Sequence, residues 1–254
     1  MYSDVKAVYV DTGLEFPEIK DHVKSFTNVT IIRPKMSFRQ VLEKYGWVFP
    51  SKEIACDIYY ARKGSTWAKN KFEGLDKDGN YSKYKQNSKK WKFMLNAPVK
   101  ISEKCCYVMK KEPVKRFEKE SKLYCVMATM AQESRLRENA WIQKGCNIFD
   151  GVRKVSKPMS FWTEQDVLQY IKDNNIKIPS VYGDIIEEDG KLRCTGNQRT
   201  GCMFCPVGLH LEKRPNRIER MKTTHPKIYE YCMNGLGLKG LLDFAGEHLG
   251  KELY

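Results

Sequence analysis

The sequence has no run of about 18 apolar residues, so it offers no membrane-spanning helix. Its first residues, Met1-Tyr2-Ser3-Asp4-Val5-Lys6, carry no export-signal pattern. It has no internal repeat and no low-complexity tail, which excludes a solenoid or a disordered interaction arm. It is also short of acid, with 31 Asp+Glu against 45 Lys+Arg and a net charge of +14. Without an export signal a secreted disulfide scaffold is the poorer reading, and a cytoplasmic location is expected. The nine cysteines therefore read as metal ligands or redox groups rather than as disulfides.

What is present is enough for one large domain or two modest ones: 254 residues, 41% hydrophobic and 12% aromatic. The charge is uneven. Residues 60–125 hold 18 Lys+Arg and 7 Asp+Glu, a net +11 in a quarter of the chain. Such a region suits a polyanion, either nucleic acid or a small phosphorylated substrate, and it equally suits a solvated surface. Lys83-Tyr84-Lys85 and Lys89-Lys90-Trp91-Lys92 interleave base and aromatic. That pattern fits phosphate contact with base stacking. It also fits an amphipathic helix with Trp91 in the core and lysines in water, and the second reading is preferred.

The hydrophobic pattern predicts a strand at 5–10 ending in Asp11-Thr12-Gly13, a helix over 15–26, a strand at 29–32, and a helix over 37–45 capped by Ser37. Strand and helix alternating at this spacing indicate a parallel α/β sheet. Ligands of such sheets sit at the carboxyl ends of strands, where Asp11-Thr12-Gly13 falls, although an ordinary turn would read the same. Residues 47–100 predict short helices and turns around Gly64, Gly74 and Gly79. Further on, the pattern predicts a helix over 102–120 interrupted by Pro113, a strand at 123–128, and helices over 132–143 and 163–173. Thr163 and Asp166 stand at capping-box spacing in the last of these. A hairpin is expected within 175–200. Closing helices follow at 215–221, 226–233 and 239–249. The expected division is an α/β core over 1–174 with a basic insertion at about 60–100, and a cysteine-loop and helical region over 175–254 packed on it.

The chemistry is concentrated in cysteine. Cys202 and Cys205 flank a two-residue turn that can bring both sulfurs to one centre. Cys105 and Cys106 are adjacent, and adjacent side chains in a helix or strand point in different directions, so the pair serves packing poorly. Thiolates in a first helical turn are favoured by free N–H groups and the helix dipole. Two pairs of soft ligands fit an iron–sulfur cluster or zinc. Adjacent cysteines favour the cluster, because structural zinc sites use spaced pairs. Cys146 is an alternative fourth ligand and Cys194 a further complication. Cys56, Cys125 and Cys232 sit among apolar or helical neighbours and read as core thiols.

Four segments, taken in order, resemble one family. Asp11-Thr12-Gly13-Leu14-Glu15-Phe16-Pro17-Glu18 resembles the DTG-x-x-x-PE signature of the phosphoadenosine phosphosulfate (PAPS) and adenosine phosphosulfate (APS) reductases. Cys105-Cys106, with Lys110 four residues on, is similar to the Cys-Cys motif of the APS branch. The run from Ser160 to Ile171 is similar to its W-x-x-x-DV-x-x-YI helix, and Gly201-Cys202-Met203-Phe204-Cys205 to its GC-x-x-C loop. The resemblance implies an adenine nucleotide alpha hydrolase-like (Rossmann-like) parallel-sheet core with a helical, cysteine-rich C-terminal part. It also implies a [4Fe–4S] cluster on Cys105, Cys106, Cys202 and Cys205, with zinc as the alternative. An adenine sulfonucleotide or other ATP-derived ligand would lie near Asp11, Thr12 and Gly13, with Lys110, Ser134, Arg135 and Arg137 as anion contacts.

Three departures bear on activity. Only ten residues precede Asp11, too few for the family's SGG-x-D-S phosphate loop, so an N-terminally truncated core is expected. At Ala128-Thr129-Met130-Ala131-Gln132-Glu133-Ser134-Arg135-Leu136-Arg137, the family form G-x-R-x-x-ES-x-x-R is kept only at Glu133, Ser134 and Arg137. The last residues hold no cysteine to match the reductases' nucleophilic tail cysteine. The family still points to an oxidoreductase or sulfurtransferase of sulfur metabolism, with no catalytic residue assigned. Two other classes remain: a nucleic-acid thiolation enzyme using the basic 60–125 region, and a non-catalytic nucleic-acid-binding or inhibitor protein of mobile-element origin. The oligomeric state is left open.

Overall fold

The computed structural model describes residues 5–150 and 153–254. The first four residues of the N-terminal stretch that lacks an export pattern lie outside the described residues. β1 (Ala7–Val10) pairs with β2 (Val29–Ile32), and α1 (Pro17–Lys24) runs between them with Pro17 at its first turn. Proline fits there because its missing N–H has no helical partner to lose. α2 (Phe38–Tyr45) starts at Ser37, whose hydroxyl accepts from the Gln40 amide while the Gln40 side chain accepts from the Ser37 amide. This reciprocal box fixes the helix start at the expected residue.

Short helices and turns fill the next fifty residues, as the glycine spacing predicts. They are α3 (Lys52–Arg62), α4 (Thr66–Phe72) and α5 (Gln86–Lys90), followed by a 3-10 turn over Lys92–Asn96. One side chain organises the loop beyond them. The Arg62 guanidinium donates to the carbonyls of Met94, Leu95, Ala97 and Val99 at 3.0, 3.1, 2.8 and 2.7 Å. These carbonyls would otherwise be orphaned where the chain leaves the helical turns. Burial holds the guanidinium pKa below its usual value.

The helix predicted over 102–120 begins at the cysteine pair and carries a π-helical turn, Tyr107–Lys111, before α6 (Glu112–Ser121). Pro113 has no N–H to continue the regular ladder, and the widened turn ends just before it. β3 is shorter than its apolar run suggests, covering Cys125–Val126 alone. α7 (Arg135–Lys144) is capped by the Ser134 hydroxyl. β4 (Asn147–Ile148), β5 (Val155–Ser156) and α8 (Glu164–Asp173) follow, and the Thr163–Asp166 capping box forms as predicted. β6 (Ile185–Glu188) and β7 (Lys191–Cys194) make the expected antiparallel hairpin. The closing helices are α9 (Arg217–Thr224), α10 (Pro226–Glu230) and α11 (Leu238–Leu249).

The fold is mixed α/β, as predicted, and parallel pairing is present but local. β3 and β5 are parallel and β4 joins β5 antiparallel, in the order β3-β5-β4; a further parallel bridge links Trp47 to Ile101. The chain divides into two compact units. The first comprises the described parts of residues 1–9, 16–32 and 114–200; the second comprises 10–15, 33–113 and 201–254. Position 174/175, the expected division, falls inside the first unit. The chain enters each unit more than once, and no linear boundary can express that.

In the first unit, Leu168 of α8 buries against Leu192 and Cys194 of β7. The Gln165 side chain ties α8 to the Leu192 backbone through two 2.8 Å bonds. The second unit has the larger core, around Phe49, Ile54, Phe72, Met94 and Leu209. Leu238, Leu241, Leu242 and Ala245 of α11 are all fully buried, at the i, i+3, i+4, i+7 spacing of an amphipathic helix. Trp91 is 3% exposed, so this ring is a core anchor, as the preferred reading of its lysine-rich segment requires. Among the described residues no helix is long and apolar enough to cross a membrane.

Candidate metal centre

All four cysteines of the two pairs belong to the second unit, and they line one pocket. Its other walls are apolar: Leu14, Phe38, Leu42, Trp47, Val48 and Phe204. Backbone pairing sets the approach. The Trp47 amide donates to the Lys100 carbonyl at 2.9 Å and the Ser102 amide to the Trp47 carbonyl at 3.0 Å. The segment that leads into Cys105 and Cys106 is thereby held against the end of α2. The Ser102 hydroxyl then accepts from the Lys104 amide at 3.3 Å as the helix begins.

On the other side, the Cys205 amide donates to the Cys202 carbonyl at 3.1 Å and closes the loop. Arg217 at the start of α9 holds that loop from below. It donates to the Cys205 carbonyl at 3.1 Å and to the Val207 carbonyl, and it pairs with Glu212.

The thiols sense this environment. Burial, reinforced by Cys106, Cys202 and Cys205, pushes the Cys105 thiol far above its usual value. Burial pushes Cys202 up to about 11, with the Lys110 ammonium pulling the other way. Cys205 is raised by burial against the Val207 N–H and the Arg217 charge. A dry cage around several thiols is a poor place for thiolates unless positive charge enters with them. A thiophilic metal centre supplies that charge, so the donor set fits one. Among the described residues no group of three or more His, Cys, Asp or Glu side chains is placed to hold a single metal ion.

The strand-end turn belongs to the same unit. Asp11 and Thr12 are buried, and Gly13 has φ +73° with open space where a Cβ would lie. Glu15 closes the turn. Its carboxylate accepts from the Thr12 amide at 3.2 Å and from the Thr12 hydroxyl at 2.8 Å. Arg33 donates to Asp11 at 3.3 Å. Two ties then join turn and thiol pocket. The Met203 amide donates to the Leu14 carbonyl at 2.8 Å. Lys110, on the π-helical turn, lies 3.5 Å from Glu15, and its charge acts on the Cys202 sulfur. Burial opposes the charge of Lys110, but Cys202 and Glu15 outweigh it and its pKa is raised.

Of the residues read from the sequence, the structure thus brings together Asp11, Thr12, Gly13, Lys110, Cys105, Cys106, Cys202 and Cys205. Ser134, Arg135, Arg137 and Cys146 belong to the first unit. There Ser134 caps α7, Arg137 pairs with Glu133, Arg135 is exposed, and the Cys146 carbonyl accepts from the Lys157 amide at 2.7 Å. Cys194 and Cys232 are buried core thiols, and all nine cysteines are free. Sequence reasoning missed Glu15 and Arg217. Thr12-x-x-Glu15 has capping-box spacing and could have pointed to Glu15; no local signal marks Arg217.

The geometry defines an α/β protein with a thiol-lined pocket wired to an acidic strand-end turn. A family model, the phosphoadenosine phosphosulfate reductase domain, matches residues 59–207, more than half of the chain. The chain belongs to that family. The matched span holds both cysteine pairs and Lys110 and leaves Asp11–Glu15 upstream. The chain is also 24% identical over 234 residues to "Uncharacterized protein MJ0973" of Methanocaldococcus jannaschii, covering 89% of this chain and 40% of that protein. It therefore spans about two fifths of the relative's length.

Proposed function

We propose that the protein is an iron–sulfur member of the PAPS reductase family that binds an adenylylated sulfur compound. Cys105, Cys106, Cys202 and Cys205 would hold a [4Fe–4S] cluster. Asp11, Thr12 and Gly13 would receive the anionic ligand, with Lys110 as its cationic contact. The carrying observation is that turn and thiol pocket are joined: the Met203 amide of the cysteine loop donates to the Leu14 carbonyl at 2.8 Å, and Lys110 lies 3.5 Å from Glu15.

The adjacency of Cys105 and Cys106 favours the cluster over zinc, because structural zinc sites use spaced pairs. When bound, the cluster supplies a compact charge and redox-capable iron to the pocket. The chain's own residues do the rest. The apolar walls exclude water, Arg217 fixes the loop, and Lys110 offers its ammonium to the anionic sulfur compound.

Reduction or transfer of sulfur from an adenylylated carrier is the reaction class this reading expects. The basic 60–125 region adds a polyanion to the expected partners.

Anaerobic purification followed by iron and sulfide analysis tests the cluster. About four irons per chain are expected, with a brown colour lost in Cys202→Ala; zinc in the same preparation without iron would refute it. Calorimetric titration with adenosine phosphosulfate and with AMP tests the ligand. Preference for the sulfonucleotide that disappears in Lys110→Met is expected, and equal binding of both would overturn the substrate class.

A further inference from the structure

A second surface of the same unit is unexplained by sulfur chemistry. Residues 79–92 contain five lysines and no acidic residue. The 3-10 turn Lys83–Lys85 runs straight into α5, which buries Ser88 and is followed by the buried Trp91. That anchoring turns Lys83, Tyr84, Asn87 and Lys90 outward, all exposed, at spacings of one, three and three residues along a helical surface. Lys89 is exposed beside them.

Nearby cations are already engaged: Lys71 with Asp57 at 2.8 Å, Lys92 with Glu73 at 2.7 Å, and Arg62 with its four carbonyls. Lys83, Lys89 and Lys90 make no ion pair among the described residues. The Tyr84 ring is 90% exposed and stacks on no other ring among the described residues, and Tyr81 is 75% exposed.

We propose that Tyr81, Lys83, Tyr84, Lys89 and Lys90 form a binding surface for single-stranded nucleic acid. Lys83, Lys89 and Lys90, exposed and without an ion pair among the described residues, supply the positive charge that a phosphate backbone requires. The tyrosines stand clear of the surface and offer flat rings to unstacked bases; a duplex hides those base faces, so a single strand is the ligand that uses them. The anchor is rigid, because Ser88 donates to the buried Asp57 and Trp91 packs on Phe49 at 5.7 Å. The surface holds none of the thiol-pocket or strand-end residues, so this inference stands or falls independently of the sulfur chemistry.

The test is fluorescence anisotropy with labelled oligo-dT and oligo-rU, and a matched duplex, across about 50–200 mM salt. The wild-type protein is expected to bind the single strands more tightly than the duplex. K83Q/K89Q/K90Q should flatten the slope of log K against log salt by about 2, at about 0.7 for each phosphate left without its lysine. Y84A should weaken single-strand binding about tenfold with the slope unchanged. K222Q/K227Q, elsewhere in the unit, should change neither. Circular dichroism confirms that each variant is folded. No salt-dependent binding by the wild type would overturn the proposal, as would equal losses from the two lysine sets or tighter binding of the duplex.

Discussion

Gly46 offers a quantitative test of how the thiol pocket is assembled. It ends α2 with φ +82° and ψ −169°, a region open essentially to glycine alone. Its amide donates to the Leu42 carbonyl at 2.8 Å, and its neighbour Trp47 makes the two backbone bonds that hold the 100–102 segment. A Cβ at Gly46 would lie 2.0 Å from the Lys100 carbonyl oxygen and 2.1 Å from its carbon. Both are backbone atoms, so no rotamer change relieves the clash. In Gly46→Ala the segment must move away, which breaks the Trp47–Lys100 and Ser102–Trp47 bonds.

Backbone strain costs about 2 kcal/mol. Two broken hydrogen bonds add about 2 kcal/mol. The expected total is about 4 kcal/mol, a large share of an ordinary domain's stability. Gly13→Ala is the control. Gly13 also has positive φ but nothing within 4 Å of the added carbon, so strain alone applies, about 1–2 kcal/mol. Urea denaturation of metal-free protein, followed by tryptophan fluorescence, measures both. Trp47 and Trp91 are buried and report on this unit. Equal losses in the two variants would refute the close approach to Lys100. The same experiment with metal present should show lower metal retention in Gly46→Ala, because Cys105 and Cys106 follow the displaced segment.

Two further outcomes follow from side chains around the cysteine loop. Arg217→Ala should destabilise by about 2–4 kcal/mol and speed alkylation of the loop thiols, since two carbonyls and Glu212 lose their common partner. Arg217→Lys should not restore the slow alkylation rate, because one ammonium cannot span that fork; full rescue would count against the clamp. Glu219 has its carboxyl pKa held below the usual value, mainly by Arg214, with burial opposing. A depressed folded pKa gives stability that is present above the unfolded value of 4.5 and lost as pH falls through the folded one. Glu219→Gln should therefore show a shallower loss of stability below pH 4.5 than the wild type, measured by denaturation at a series of pH values; parallel curves would show that the pair carries nothing.

Local chemistry is legible where one residue decides one event. Ser37 starts α2, Thr163 with Asp166 starts α8, and β2 has the predicted bounds because each signal acts within a few residues. The strand expected at 123–128 is too long because its apolar residues look like a buried run, yet Leu123, Tyr124 and Val126 are exposed and only two residues find a partner strand. Apolar composition does not reveal whether a neighbour exists to pair with. Residues 11–15 fall in the second unit while residues 7–9 and 16–32 fall in the first, and no composition shift marks such crossings. The four thiols are legible from spacing and from the family order of the motifs. The contacts that make them a site are not, because Lys110 reaches Glu15 across a long separation in sequence and nothing local marks Arg217 for its carbonyl partners.

The two ties between turn and thiol pocket differ in kind, and the difference has a consequence. The Met203–Leu14 bond joins backbone to backbone and does not depend on charge. The Glu15–Lys110–Cys202 chain depends on it throughout. An anion seated on the turn competes with Glu15 for the Lys110 ammonium. Whatever ionises the Cys202 sulfur, which burial keeps as a thiol, changes what that same ammonium prefers on its other side. Differential interaction at one end must therefore be felt at the other by an equal free energy, since linkage is reciprocal. The backbone tie keeps the two ends at a fixed distance while this exchange occurs, and the π-helical turn sets Lys110 between them. Cys202, the first cysteine of the loop, is thus one end of an electrostatic path whose other end is the Thr12 turn.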